Sequence, residues 1–190
     1  DDGQAYLFWG NNGLWYAKLN KDMISLGSEV IPVKELNDSI AFGPLVMKRD
    51  YQLNKRVLKI NYEEGPWVFK RNGLYYMVYA AGGVPEHMAY STAKSIHGPW
   101  KYQGRIMNEA ANSFTIHGGS IEYHNRHFMF YHNGALPNGG GFRRSTCIEE
   151  FKFGEDGKIP FIPFTKEGVR TPVRNLNPYQ RVEAETMAFS

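Results

Sequence analysis

The chain has 190 residues, with 22 Lys and Arg against 19 Asp and Glu, a net charge of +3, and 28 aromatic residues but a single cysteine. With 42% apolar residues it can build a real core as one ordinary domain or a large piece of one, and no apolar run approaches the ~20 residues of a membrane-spanning helix. Interleaved charges such as KRDYQLNKR give no strong electrostatic footprint for nucleic acid, and the lone Cys147 excludes an internal disulfide framework or a multi-cysteine metal cluster.

Residues 1 to 12, DDGQAYLFWGNN, show neither the basic start nor the apolar core of a signal peptide. Two short aromatic runs, AYLFWG and LWYAKLN, flank the turn Asn12-Gly13. PWVFKR and LYYMVYAA flank Asn72-Gly73, and HMAYSTA follows, although residues 86 to 96 could also hold a turn of helix. SIEYHN and HFMFYHN meet at Asn125-Arg126; the glycine stretch from Asn138 to Gly141 leads into STCIEEFKF, and Asp156-Gly157 marks a last turn. Aromatic and β-branched runs bounded by Gly and Asn read as strands, and the two-residue turns between them read as hairpins. The expectation is an all-β chain.

The runs recur as units. DDG-QAYLFWG, RNG-LYYMVYAAG and HNR-HFMFYHNG each pair a turn with an aromatic strand, their turns lying 70 and then 53 residues apart, and each is followed by a second strand. Units of roughly 50 residues, each a small antiparallel sheet, are the mark of a β-propeller, with a sandwich ranking second. Glu64 and His117 both stand nine residues before the shared turn position, so each begins the same inner strand of its own unit and the two should converge on one mouth. The matching position of the first unit falls before residue 1. About three blades are expected, and because three blades leave open edges, a missing N-terminal part or a companion chain is expected as well.

Glu64 is the first candidate for chemistry. It lies in Tyr-Glu-Glu-Gly-Pro-Trp, where Pro66 gives no ladder N–H and Gly65 relaxes the backbone, so a side chain can face a cavity. Apolar neighbours such as Trp67 would desolvate a carboxylic acid there, as a general acid near neutral pH requires; the alternative is a solvated turn carboxylate, which is the reading for Glu63. His117, beside a glycine pair, is a pore candidate, whereas His87, His97, His124, His127 and His132 read as strand or turn positions. Arg143 and Arg144, on a strand, would point to opposite faces, one toward the pore; an exposed basic pair is the equal alternative. Aromatic rings suit sugar faces, but most of them must fill the space between sheets. Ser145 and Cys147 have no Ser-His-Asp pattern near them, and the glycines 139 to 141 lack the context of a phosphate cradle.

Taken together, DDGQAYLFWGNNGLWYAKLN, YEEGPWVFKRNGLYYMVYAAGG, AYSTAKSIHGPW, FMFYHNGALPNGGGFRRSTCIEEF and DGKIPFIPFTKEGV resemble glycoside hydrolase family 43 over about residues 1 to 178. The resemblance implies a five-bladed β-propeller that cleaves β-xylosidic or α-L-arabinofuranosidic bonds of plant polysaccharides, with residues 1–178 supplying about blades three to five. RVEAETMAFS, at 181 to 190, resembles the first strand of a family 6 carbohydrate-binding module, so that 179–190 would be linker and module start. It further implies that Glu64 is the general acid of an inverting reaction, that an Asp base and a tuning Asp lie outside the chain, and that the chain alone is nearly inert. His117 would help to hold a calcium ion, largely through water, although Ile116 stands where many relatives have a polar residue. Arg144 would contact the terminal sugar, with Trp9 and Trp67 as aromatic walls. An extracellular or periplasmic setting is implied, with a plant polysaccharide as partner. The readings that compete are a non-catalytic sugar-binding propeller and a scaffold propeller for proteins.

Overall fold

The computed structural model describes residues 3–50 and 52–169. They form twelve strands: β1 (Tyr6–Trp9), β2 (Trp15–Lys18), β3 (Ile31–Pro32), β4 (Val46–Asp50), β5 (Lys55–Lys59), β6 (Tyr62–Arg71), β7 (Leu74–Ala81), β8 (His87–Ala93), β9 (Lys101–Met107), β10 (Gly119–Tyr123), β11 (Arg126–Asn133) and β12 (Ser145–Phe151). A single turn of 3-10 helix (Lys34–Asn37) and the short helix α1 (Ser39–Phe42) separate β3 from β4. The strand expected at HMAYSTA forms as β8, and the alternative turn of helix within 86 to 96 does not: His87 to Ala93 is paired on both sides, because the ladder satisfies its backbone and its alternating side chains fill two cores. The carbohydrate-binding-module reading of 179–190 lies outside the described residues.

Every pairing within the four sheets is antiparallel, in the orders β1-β2-β3, β4-β5, β6-β7-β8-β9 and β10-β11-β12. Tight turns set the registers. Asn72 and Gly73, both at positive φ, join Arg71 to its partner Leu74, and His124 and Asn125 do the same between Tyr123 and Arg126. The third turn therefore centres on His124-Asn125, one residue earlier than Asn125-Arg126.

The four-stranded sheet is covered on both faces. In β7, Tyr76 and Val78 point into one core with Met88, Tyr90, Ile106, Met129 and Tyr131, while Met77, Tyr79 and Ala81 point into a second core with Leu14, Tyr16, Phe42 and Tyr62. The period of two along a strand thus sends alternate side chains of one segment to two neighbouring sheets, which is how radially arranged sheets share their cores. α1 is fastened over the second core by buried polar side chains. Ser91 Oγ donates to the Ala41 carbonyl (2.7 Å), and Asn61 Nδ2 and the Tyr79 hydroxyl both donate to that of Phe42 (2.9 and 3.1 Å). These bonds take up helix-end carbonyls that would otherwise be buried unpaired.

After β12 an irregular strap runs back across the first core. Ile159 and Ile162 are buried in it; the Ile159 N–H donates to the Tyr90 hydroxyl (3.2 Å) and the Ile162 N–H to the Ile106 carbonyl (2.7 Å). Buried Glu149 receives the backbone N–H of Thr165 (2.8 Å) and the Tyr131 hydroxyl (3.2 Å), so the far end of the strap is pinned to β11 and β12.

Candidate active site

The site lies where three sheets meet, and β6 builds it. Between Trp67, paired with Val78, and Glu64, paired with Ala80, β6 spends one residue more than β7 does, so the chain bulges at Gly65-Pro66. Gly65 has φ +65°, and a Cβ there would sit 3.3 Å from the His117 ring, so both the backbone conformation and the close approach call for glycine. The bulge turns Glu64 inward. It also cancels the one-residue offset of the third turn: Ala80, the partner of Glu64, lies seven residues after Gly73, and His132, whose ring stacks edge-on to His117, lies seven after Asn125.

Each neighbouring sheet holds the Glu64 carboxylate. Asn11, in the turn after β1, donates from Nδ2 to Glu64 Oε2 (2.9 Å), and the two residues form an isolated bridge. From the other side, His117 Nε2 lies 3.2 Å from Glu64 Oε1. Behind them stands Glu86, 1% exposed, with Oε2 3.6 Å from the same His117 nitrogen and accepting the Ile116 N–H at 3.0 Å. The buried Glu86 carboxylate, followed by the nearby Glu64, raises the affinity of His117 for a proton against the opposing effect of burial. Nε2 reaches ion-pair distance of both carboxylates yet is aligned with neither for a hydrogen bond to a described residue.

His132 supports His117 as a neutral ring. Its Nδ1 accepts the His117 backbone N–H (3.4 Å), which leaves Nε2–H to donate to Thr115 Oγ1 (3.1 Å). Burial, and then the charge of Arg144, pull its pKa down to about 4. His87 is similar: burial first and the Arg105 guanidinium second lower it to about 4, and Arg105 donates to its Nδ1 at 3.2 Å. His97 accepts from or donates to the Tyr16 hydroxyl at 2.9 Å, away from Glu64.

Trp67 lies flat against Gly119, where a Cβ would meet the indole at 2.8 Å, and its Nε1–H donates to the Ser120 carbonyl (3.0 Å). Its ring is part-exposed and walls a cavity of about 420 Å³ together with His117, His132 and Phe130. Trp9 is part-buried at the end of β1, opposite Trp15, and no described contact joins it to Glu64. Arg143 and Arg144 are both exposed and precede β12 in a turn and bridge, so the strand alternation expected of them does not apply. Glu63 is not the solvated carboxylate expected: its side chain is 12% exposed and meets Lys48 of β4 in an ion pair.

Two residues of the site escaped the reading of the sequence. Asn11 read only as part of a turn, although a polar side chain next to a strand end facing a bulge is a usable signal. Glu86, in Val-Pro-Glu-His, directly follows Pro85 at the start of β8, much as Glu64 stands two residues before Pro66 near the start of β6. Among the described residues, Glu64, Glu86 and His117 also form a group that could hold a metal ion, their ligand atoms lying within 4.8 Å of one another.

The comparisons with known proteins agree with this architecture. The family model described as glycosyl hydrolases family 43 matches residues 1–159. Xylosidase/arabinosidase 43A of Humicola insolens is 30% identical over 185 residues, covering 84% of this chain and 55% of its own length. Among solved structures, a family 43 enzyme of Xanthomonas citri superposes with a TM-score of 0.68 at 23% identity, over 89% of this chain and 56% of that one. A β-xylosidase/α-arabinofuranosidase from a compost microbial metagenome, described as a calcium-free form in complex with xylotriose, does so at 0.67 and 23% identity, over 86% and 55%. The chain spans about half the length of these relatives. Since the matched stretch takes in every strand from β1 to β12, the chain belongs to glycosyl hydrolases family 43.

Proposed function

We propose that the full-length protein is a glycoside hydrolase acting on xylan or arabinoxylan, as a β-xylosidase or α-L-arabinofuranosidase, and that Glu64 is its general acid. One observation carries this reading: Glu64, bent inward by the bulge and only 24% exposed, is gripped from both neighbouring sheets, by Asn11 and His117. The bond from Asn11 orients the carboxyl group to give its proton to the leaving glycosidic oxygen, and the positive charge favoured on His117, at ion-pair distance, steadies the carboxylate that remains. The reaction inverts the anomeric centre, with an aspartate base outside residues 1–190 about 6.5–9.5 Å across the sugar ring to activate water. Until those parts are present, as preceding blades or a companion chain, the 190 residues are nearly inert. Trp67, Trp9 and Arg144 bind the sugar. The module-like end would attach the enzyme to its polysaccharide, and the setting is outside the cell or in the periplasm.

Calcium belongs to this reading as a tuning ion. Its preference for six to eight oxygen ligands is poorly met by two carboxylates and an imidazole, but the buried, unaligned His117 Nε2 suits a water of the ion's shell, so His117 would hold it through water. When bound, the ion supplies positive charge beside Glu64 and Glu86.

Glu64→Gln in the full-length protein tests the assignment. Turnover of substrates with poor leaving groups should fall by about 10²–10⁴, and sugar binding should persist. Retained turnover would overturn Glu64 as the acid, and a wild type that binds these sugars without cleaving them would overturn the enzyme reading.

A further inference from the structure

The hairpin β4-β5 carries charge out of proportion to its size. Residues 46–59 hold five basic side chains, Lys48, Arg49, Lys55, Arg56 and Lys59, against Asp50 alone, while the whole chain nets only +3, so the remainder is net negative. Two of these cations are neutralised in the wall, Lys48 by Glu63 and Lys59 by Asp50 (3.0 Å). Arg56 is different. It faces Arg49 directly across the ladder, both are exposed, and among the described residues Arg56 has no acidic partner. Arg49 also donates from Nη2 to Asn54 Oδ1 (3.0 Å) within the same hairpin.

Beside this pair opens a cavity of about 630 Å³, whose hairpin side includes Lys48, Arg49, Arg56 and Lys59 together with the carboxylate of Asp50, and whose other side includes Asn12 and Glu63. Asn12 and Glu63 are the chain neighbours of Asn11 and Glu64, which touch each other at 2.9 Å, so the cavity and the candidate acid share a wall one residue thick. A volume within the usual few hundred to about 1,000 Å³ of ligand sites accommodates one sugar ring, and paired guanidinium forks match the two oxygens of a carboxylate.

We propose that this cavity is a subsite for a carboxylated sugar, a uronic acid residue carried on the glycan next to the sugar held at Glu64. The proposal rests on the glycosidase reading above and names a feature of the substrate: an acidic branch or neighbour, recognised by Arg49 and Arg56.

The test is calorimetric binding to the full-length protein carrying Glu64→Gln, which prevents turnover, using xylotriose and xylotriose bearing one glucuronic acid branch. At low salt the branched sugar should bind about tenfold tighter, and the advantage should shrink at about 0.5 M salt as screening shortens. In Arg49→Gln/Arg56→Gln the advantage should fall to less than about twofold, and Arg49→Lys/Arg56→Lys should keep part of it; both residues are exposed, so folding is not at stake. Equal affinity for the two sugars would overturn this inference and leave the glycosidase reading standing. Binding of neither would overturn both, and inorganic phosphate binding as tightly as the branched sugar would overturn the assignment to a glycan carboxylate.

Discussion

The sheet β6-β9 and the hairpin β4-β5 adjoin in sequence but are held by different means. In β7 and β8 nearly every side chain is buried, alternately in two cores, whereas the hairpin leaves Met47 and Leu58 more than half exposed and meets its neighbour through the Lys48–Glu63 pair. A two-stranded ribbon of that kind has little stability of its own. The difference separates labour: the sheet supplies the free energy and fixes Glu64, and the hairpin, contributing little to folding, is at liberty to carry charge beside the site.

Substitutions can break this contrast, the largest effect coming first. Tyr79→Ala removes a ring buried in the second core and two buried hydrogen bonds, and should lower the unfolding free energy by about 4 kcal/mol in a urea titration. Acid should also act through the sheet. His87 takes a proton only near pH 4 when folded but near 6.5 when unfolded, so its contribution is complete above about pH 6.5 and is lost as pH falls toward 4. That loss amounts to about 3 kcal/mol, and His87→Gln should show a correspondingly flatter stability profile between those limits. Gly65→Ala forces a side chain into positive φ and against His117; about 1–2 kcal/mol of stability and, in the full-length protein, about tenfold in the proposed turnover should go together. Leu58→Ala, on the outer face of the hairpin, should change stability by less than about 0.5 kcal/mol. A large loss there would show that the hairpin is part of the folding core after all.

The same contrast explains what could be read from the sequence. The first two strands of the sheet are aromatic and meet at Asn72-Gly73, so their existence, pairing and repeat were legible, and β8 could be read from HMAYSTA; β9, Lys-Tyr-Gln-Gly-Arg-Ile-Met, has a single ring and no hairpin turn before it and was not read. The hairpin strands, Val-Met-Lys-Arg-Asp and Lys-Arg-Val-Leu-Lys, contain no ring and show only as interleaved charge, because an ion pair to Glu63 and not a buried face holds them. The convergence of Glu64 on His117 followed from counting residues, though the count worked because a turn placed one residue late was offset by a bulge of one residue. Glu86 was invisible to counting, since its partners, His117 and the Ile116 N–H, come from a loop some thirty residues further on. The same holds for Glu63, whose burial is decided by Lys48 on another element.

The strap after β12 has a practical consequence for where this domain may be cut. The family match stops at residue 159, in the middle of the strap. An expression fragment ended there would lose Ile162, uncover the core around Ile106 and Met107, and take from Glu149 the Thr165 N–H that its buried carboxylate accepts. The shortest fragment worth expressing therefore runs through Gly168, whose N–H closes the last turn on Thr165, and shorter ones are expected to precipitate.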